Sequence, residues 1–222
     1  KKQEENRLKR YSGKESWYHA SGAGSCSRKL YFESVEQAEP SNPLDDRTKR
    51  LLRLGSIVHD DFEKSLVTYN RDIYNRDNTR DMPSDKEKEN KEKEIKFHTE
   101  EEITIDDLNV RGFYDAVVET DEIYLYDFKT CGGYSWKLKF GRKPAFNPSI
   151  HYELQLGTYG YAIKEKFGRI DGMYLYYYNK DTSLMRPVSV PLTFISRAYL
   201  FWRNINDEHK QGLPPFRKGV SP

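Results

Sequence analysis

Two runs of alternating apolar and polar positions, separated by a polar turn, mark the middle of the chain. Val110, Phe113, Val117 and Val118 precede the turn at 119–122, and Ile123, Tyr124, Leu125 and Tyr126 follow it; this pattern predicts a β-hairpin. Upstream, Ile95 to Ile105 alternates well enough for a third antiparallel strand. Downstream, Met173 to Asn179 and Pro187 to Leu192 read as a strand pair joined by a turn at Asn179 to Thr182.

Helical periods lie between these strands. Leu44 to Leu66 sets Leu51, Leu54 or Gly55, Val58, Phe62 and Leu66 three or four residues apart, a core stripe with His59 at its edge. Ser149 to Phe167 forms a second helix closed by Gly168. Gln155 and Tyr159 share one of its faces, and Gly157 and Gly160, which weaken a helix, predict close backbone packing against the sheet. Thr193 to Gln211 is a final amphipathic helix with Phe194, Ala198, Phe201, Trp202 and Ile205 inward, stopped by Gly212-Leu213-Pro214-Pro215. Near the N-terminus a small-residue loop leads into a short helix capped by Ser25 or Ser27. Lys1 to Arg10 reads as a frayed helix or tail. Asn70 to Glu94, rich in both charge signs, reads as a solvated connection or a mobile helix start.

Composition narrows the class. A chain of 222 residues fits one domain with a substantial core. Lys+Arg at 37 nearly balances Asp+Glu at 35, so any surface for nucleic acid must be local. The 17 tyrosines fall mostly on strand-like runs, as half-buried sheet residues do. Cys26 and Cys131 cannot build a disulfide framework or a four-cysteine metal site within one chain. No apolar run approaches the roughly 20 residues needed to cross a bilayer, and the first residues are charged rather than signal-like. The expected location is therefore intracellular, in the cytoplasm.

The hairpin also carries chemistry: Asp115 on one arm, Asp127 and Lys129 on the other. Alternation sends Asp127 and Lys129 to one side and Phe128 into the core. Carboxylates brought together repel unless a cation or proton sits between them, and Mg2+ or Mn2+ is the natural occupant. On this stretch alone, a solvated hairpin whose Asp-x-Lys is a surface ion pair fits equally well. Cys131 to Pro144 reads as a basic loop, with Lys137, Lys139, Arg142 and Lys143 interleaved with aromatics. It is either a groove that tracks a nucleic-acid backbone or a plain flexible loop. Arg28 and Lys29, beside a Gly-rich turn, are either phosphate contacts or a solvated helix start.

Taken in chain order, His59 on a helix, Gly112-x-x-Asp115, Asp127-x-Lys129 and Gln155-x-x-x-Tyr159 on the next helix resemble the PD-(D/E)XK nuclease superfamily. The similarity is to its RecB-like branch of CRISPR-associated and recombination exonucleases. That resemblance implies an α/β fold with a restriction-endonuclease-like core, a central mixed sheet flanked by helices. It also implies one nuclease domain over 1–222, with an N-terminal helical extension at 1–43, a catalytic core at 44–192 and a C-terminal helix and tail at 193–222. His59, Asp115, Asp127 and the Phe128 carbonyl would hold Mg2+ or Mn2+. Lys129 would orient or activate water, and Gln155 and Tyr159 would line the site and hold the DNA strand or the lysine. Arg28, Lys29, Lys137, Lys139, Arg142 and Lys143 would add DNA contacts.

The expected activity is metal-dependent hydrolysis of DNA, by an exonuclease or a single-strand-acting nuclease in replication, recombination or phage or host DNA processing. Its substrate is single-stranded DNA or duplex ends, with replication or recombination proteins as further partners. The alternatives are a nucleic-acid-binding module on a nuclease fold that supports a larger complex, and a small-molecule phosphoesterase. Many members of the branch hold an iron–sulfur cluster through one N-terminal and three C-terminal cysteines. Cys26 matches the first, but no trio follows Leu213. Either the chain is a clusterless relative with Cys26 as a buried remnant, which is the expectation adopted, or the sequence stops before the other ligands.

Overall fold

The computed structural model describes residues 17–38, 42–79, 95–142, 150–212 and 214–215, with the backbone alone for 70–79. The expectations for Lys1 to Arg10, for 80–94 and for Lys143 lie outside the described residues. Six strands form one mixed sheet: β1 (Tyr18–His19), β2 (Lys96–Ile105), β3 (Val110–Glu119), β4 (Ile123–Cys131), β5 (Gly172–Asn179) and β6 (Met185–Val190). β2, β3 and β4 are the antiparallel meander that the alternation predicts. β5 then lies parallel to β4 and β6 antiparallel to β5. The result is a restriction-endonuclease-like α/β fold, a central mixed sheet flanked by helices.

Five helices accompany the sheet in the described residues: α1 (Ser27–Leu30), α2 (Asp46–Thr79), α3 (Gly133–Phe140), α4 (Ile150–Phe167) and α5 (Thr193–His209). α1 passes directly into a π-helical turn, Tyr31–Val35. Its cap is Cys26, whose Sγ accepts the Lys29 N–H, rather than Ser25 or Ser27. Cys26 is also exposed, which corrects the expectation of a buried remnant.

The parallel β4–β5 connection requires a crossover, and α4 provides it. α4 packs on α5 through buried Leu154, Leu156, Ile163, Phe194, Ala198, Trp202 and Ile205. The Trp202 indole N–H donates to the Thr158 hydroxyl, which donates to the Leu154 carbonyl, so this seam buries no orphaned indole. A Cβ on Gly157 would strike the Phe194 carbonyl, so Gly157 serves the α4–α5 contact rather than the sheet. Gly160 approaches both Met173 of β5 and Ile195 of α5.

Two stretches differ from the sequence expectation. The Leu44 to Leu66 helix runs on to Thr79, and its start is fixed by Asp45 Oδ1 accepting the Thr48 N–H at 2.6 Å. Only its middle crosses the sheet: Val58, Phe62 and Leu66 are half-buried, while Leu51 and Leu54 of the expected stripe are exposed along with Leu52 and Ile57. The basic loop at 131–144 contains α3. Its orphan N-terminal Gly133 N–H donates to Asp181 in the β5–β6 turn at 2.7 Å, and Trp136 packs one turn below Phe140 at 4.6 Å. The first of these partners lies 48 residues away, beyond the reach of local propensity.

Candidate active site

β3 carries β2 along one edge. On the other edge it pairs with β1 at Val110–Arg111 and with β4 only at Ala116–Glu119. The interval between those partners, 112–115, is where the ladder opens. Gly112 makes the opening possible, because a Cβ there would lie 2.9 Å from the Ala20 Cβ and 3.0 Å from the Tyr159 ring. Asp115 fills the break with its side chain: Oδ2 accepts the Phe128 backbone N–H at 2.5 Å. On the β2 side the register passes from Thr99↔Ala116 to Glu101↔Tyr114 without pairing Glu100 to Asp115. Glu100 there adopts a left-handed φ of 50°.

Alternation along β4 separates its residues as expected. The Phe128 ring is buried and stacks on Phe62 of α2 at 4.7 Å, nearly parallel. That stack pins α2 across the sheet and brings His59 Nδ1 to 3.7 Å from Asp115 Oδ2. Asp127, only 1% exposed, sets Oδ2 2.6 Å from Lys129 Nζ. Lys129 also donates to Gln155 Oε1 at 3.1 Å, and Gln155 Nε2 donates to the Tyr159 hydroxyl at 3.1 Å. The ammonium also sits 4.8 Å from the Tyr152 ring centroid.

Electrostatics follow from this crowding. Burial pushes the Asp127 carboxyl up to about 6, with the Asp115 charge adding to it and Lys129 opposing. Burial alone would lower Lys129, but the Asp127 and Asp115 charges outweigh it and hold the ammonium above its ordinary range. Burial likewise works against protonated His59, and Asp115 more than compensates, so its pKa is raised. Tyr159 is raised by burial and by the Asp127, Asp115 and Glu100 charges.

A hard divalent cation calls for converging oxygen donors. Among the described residues no group of three or more His, Cys, Asp or Glu side chains converges on one point. Asp115 is turned to the Phe128 N–H, and Asp127 to Lys129. The chemistry nonetheless fits: two carboxylates, one of them buried, beside an imidazole are what such a cation binds.

His59, Asp115, Asp127, Phe128, Lys129, Gln155 and Tyr159 are thus gathered in one place. The basic candidates divide. Lys139 lies over the Tyr177 ring at 4.7 Å, and Lys137 and Arg142 are exposed on and after α3. Arg28 instead donates to the Pro215 carbonyl at 2.8 Å and lies over Phe32, and Lys29 pairs with Glu33. Two neighbours escaped the sequence reading. Tyr152 stands three residues before Gln155 and shares its helical face, a legible signal. Glu100 owes its place to the kink in β2, which no sequence period shows.

A family model described as the PD-(D/E)XK nuclease superfamily matches residues 72–194, more than half of the chain. Among curated proteins none matches. Among solved structures, a Eubacterium rectale protein provisionally named an exonuclease is 13% identical, with TM-score 0.54, over 96% of this chain and 89% of its own. That likeness supports the fold. An alkaline exonuclease of Laribacter hongkongensis is 13% identical, with TM-score 0.47, over 91% and 92% of the two chains. A protein called SSO0001 is 15% identical, with TM-score 0.46, over 96% and 86%.

Proposed function

We propose that this chain, which belongs to the PD-(D/E)XK nuclease superfamily, is a divalent-metal-dependent deoxyribonuclease of the RecB-like branch, cutting DNA at ends or in single strands. The observation that carries the reading is the buried Asp127 beside Lys129, placed where Asp115 breaks the β3–β4 ladder. A surface ion pair, the bland reading of Asp-x-Lys, would be solvated; this one is not.

In this reading Asp115, Asp127, His59 and the Phe128 carbonyl hold Mg2+ or Mn2+. When bound, the ion polarises the phosphate and lowers the pKa of water. Lys129, held cationic by its acidic neighbours, orients the attacking water and stabilises charge developing on the phosphate. Gln155 and Tyr159 fix the lysine through the hydrogen-bond chain described above. Arg28 and Lys29, as DNA contacts, would have to leave the Pro215 carbonyl and Glu33.

The test is a time course on end-labelled linear and circular DNA, single-stranded and duplex, with each metal. Wild-type cleavage that Lys129→Ala and Asp127→Ala abolish while the fold survives supports the assignment, and activity kept by both variants removes it. The second reading is a binding module on the same fold. Tight DNA binding without turnover in Mg2+, Mn2+ and Co2+ would select it.

A further inference from the structure

The outer flank of α2 carries a second stripe beside the one that meets the sheet. Arg50, Leu54, Ile57, Asp61 and Lys64 recur at alternating steps of four and three residues, so they line up along one side of the helix. All five are exposed, Leu54 by 42% and Ile57 by 53%. The lower part of this stripe borders an open cleft of about 460 Å³, lined by Ile57, Val58, Asp61 and Phe62 on the helix and by Tyr178 and Met185 on the sheet. Met185 and its neighbour Leu184 are exposed at the β5–β6 turn.

Charge divides along the same helix. From Arg47 to His59 it carries Arg47, Lys49, Arg50 and Arg53 and no acid, and Asp60, Asp61 and Glu63 follow at once. Arg50 and Asp61 stand about 16 Å apart along the axis, too far to meet, and among the described residues neither makes an ion pair within the chain. A second copy of the helix running the other way answers both. With the two-fold axis between Gly55 and Ser56, Leu54 faces the partner's Ile57 and Arg50 faces the partner's Asp61, and each contact occurs twice. Arg53 falls nearly opposite the partner's Asp60 on the flank. Arg47 then faces the partner's Lys64, a like-charge contact at each exposed end that opposes the others. A parallel pair would instead set Arg50 on the partner's Arg50 and Asp61 on the partner's Asp61.

We propose that the chain forms a homodimer through antiparallel α2 helices, with Leu54 and Arg50 of each copy seated at the cleft of the other. A second copy fits this surface because the surface complements itself: its acidic half borders the cleft, and its basic half projects beyond it. Leu54 and Ile57 beside the axis supply apolar area to remove from water, while the charge pairs set direction and register more than affinity. The same turns carry His59, so each copy braces the helix that brings this histidine to Asp115 in the other. The dimer does not depend on the nuclease reading.

The test is sedimentation equilibrium of the full chain across a concentration series. Wild type is expected to pass from monomer to dimer as concentration rises. Arg50→Asp and Asp61→Arg each turn both attractive pairs into repulsive ones, and each should weaken dimerisation about tenfold. Ile57→Ala should weaken it by about the same factor. Arg50→Asp and Asp61→Arg combined in one chain should restore the dimer. So should an equal mixture of the two single variants, because an all-acidic stripe then meets an all-basic one. Far-UV circular dichroism and thermal melting report the fold of each variant. A chain that stays monomeric at every concentration overturns the dimer, whatever else fills the cleft. A dimer indifferent to both single reversals, or a mixture no more associated than its components, overturns the antiparallel α2 pairing.

Discussion

Phe62→Ala tests whether α2 belongs to the site or only lies beside it. Phe62 stacks on Phe128 at 4.7 Å and meets Tyr176 and Tyr178 edge-on at 6.2 Å each. With Tyr69, which meets Phe97 of β2 edge-on at 5.5 Å, it is one of two aromatic anchors of a helix whose Leu51, Leu52, Leu54 and Ile57 are exposed. A fully buried Phe→Ala change costs about 3–5 kcal/mol. Phe62 is half-buried, so about 2 kcal/mol of docking energy is at stake. At 1.4 kcal/mol per decade, that shifts the balance of docked to undocked α2 about thirtyfold. His59, one turn away, would lose its place 3.7 Å from Asp115.

Two assays read this out. Single-turnover cleavage should fall toward the level of His59→Ala, while urea unfolding of the rest of the chain changes little. In EDTA, the His59 imidazole, whose pKa Asp115 raises against burial, should titrate back near the ordinary value of about 6.5. Phe62→Leu should recover part of both. Wild-type cleavage together with an unshifted His59 titration in Phe62→Ala would refute the claim that this stack positions the histidine.

Other predictions follow from the same geometry. Gly157→Ala puts a Cβ 2.7 Å from the Phe194 carbonyl carbon and 3.2 Å from the Ala198 Cβ; the overpacking of about 1–3 kcal/mol should exceed the helix-propensity gain of about 1 kcal/mol. The melting temperature should therefore drop by several degrees and, because α4 carries Gln155 and Tyr159, cleavage should drop with it; a melting temperature at or above wild type would contradict the packing argument. Glu100→Asn relieves a left-handed φ that Asn tolerates, so denaturant stability should hold or rise while cleavage falls through the lost charge near Tyr159; unchanged cleavage would show that Glu100 has no part in the site. His209 is buried against Tyr18 and Ser27, and burial lowers its pKa below the ordinary 6.5. The unfolded chain then takes up the proton first, so this contribution is full above pH about 6.5 and is lost as pH falls toward the lowered folded pKa. The urea midpoint should decline across that window in wild type and less in His209→Gln; equal declines would count against the histidine.

The sequence by itself determined the strands of the meander, the stripe that puts Val58 and Phe62 on the sheet, and the helix that sets Gln155 and Tyr159 on one face. Periods of 2 and 3.6 are local properties, and the site's residue types sit on them at fixed offsets. It also kept Asp127 and Lys129 on one side of β4, because alternation leaves no other choice.

Tertiary structure decided the rest. The Asp-x-Lys pair became a buried one because α4 crosses over it, and Asp115 joined it because β3 exchanges β1 for β4 along one edge. The basic stretch after Thr130 became α3 because Asp181 caps it from 48 residues away. Arg186 came into line with Tyr177 and Lys129 only through the register of β4, β5 and β6. Each of these depends on which segments lie side by side. A one-residue slip in register would turn Arg186 to the other face without changing its local sequence pattern.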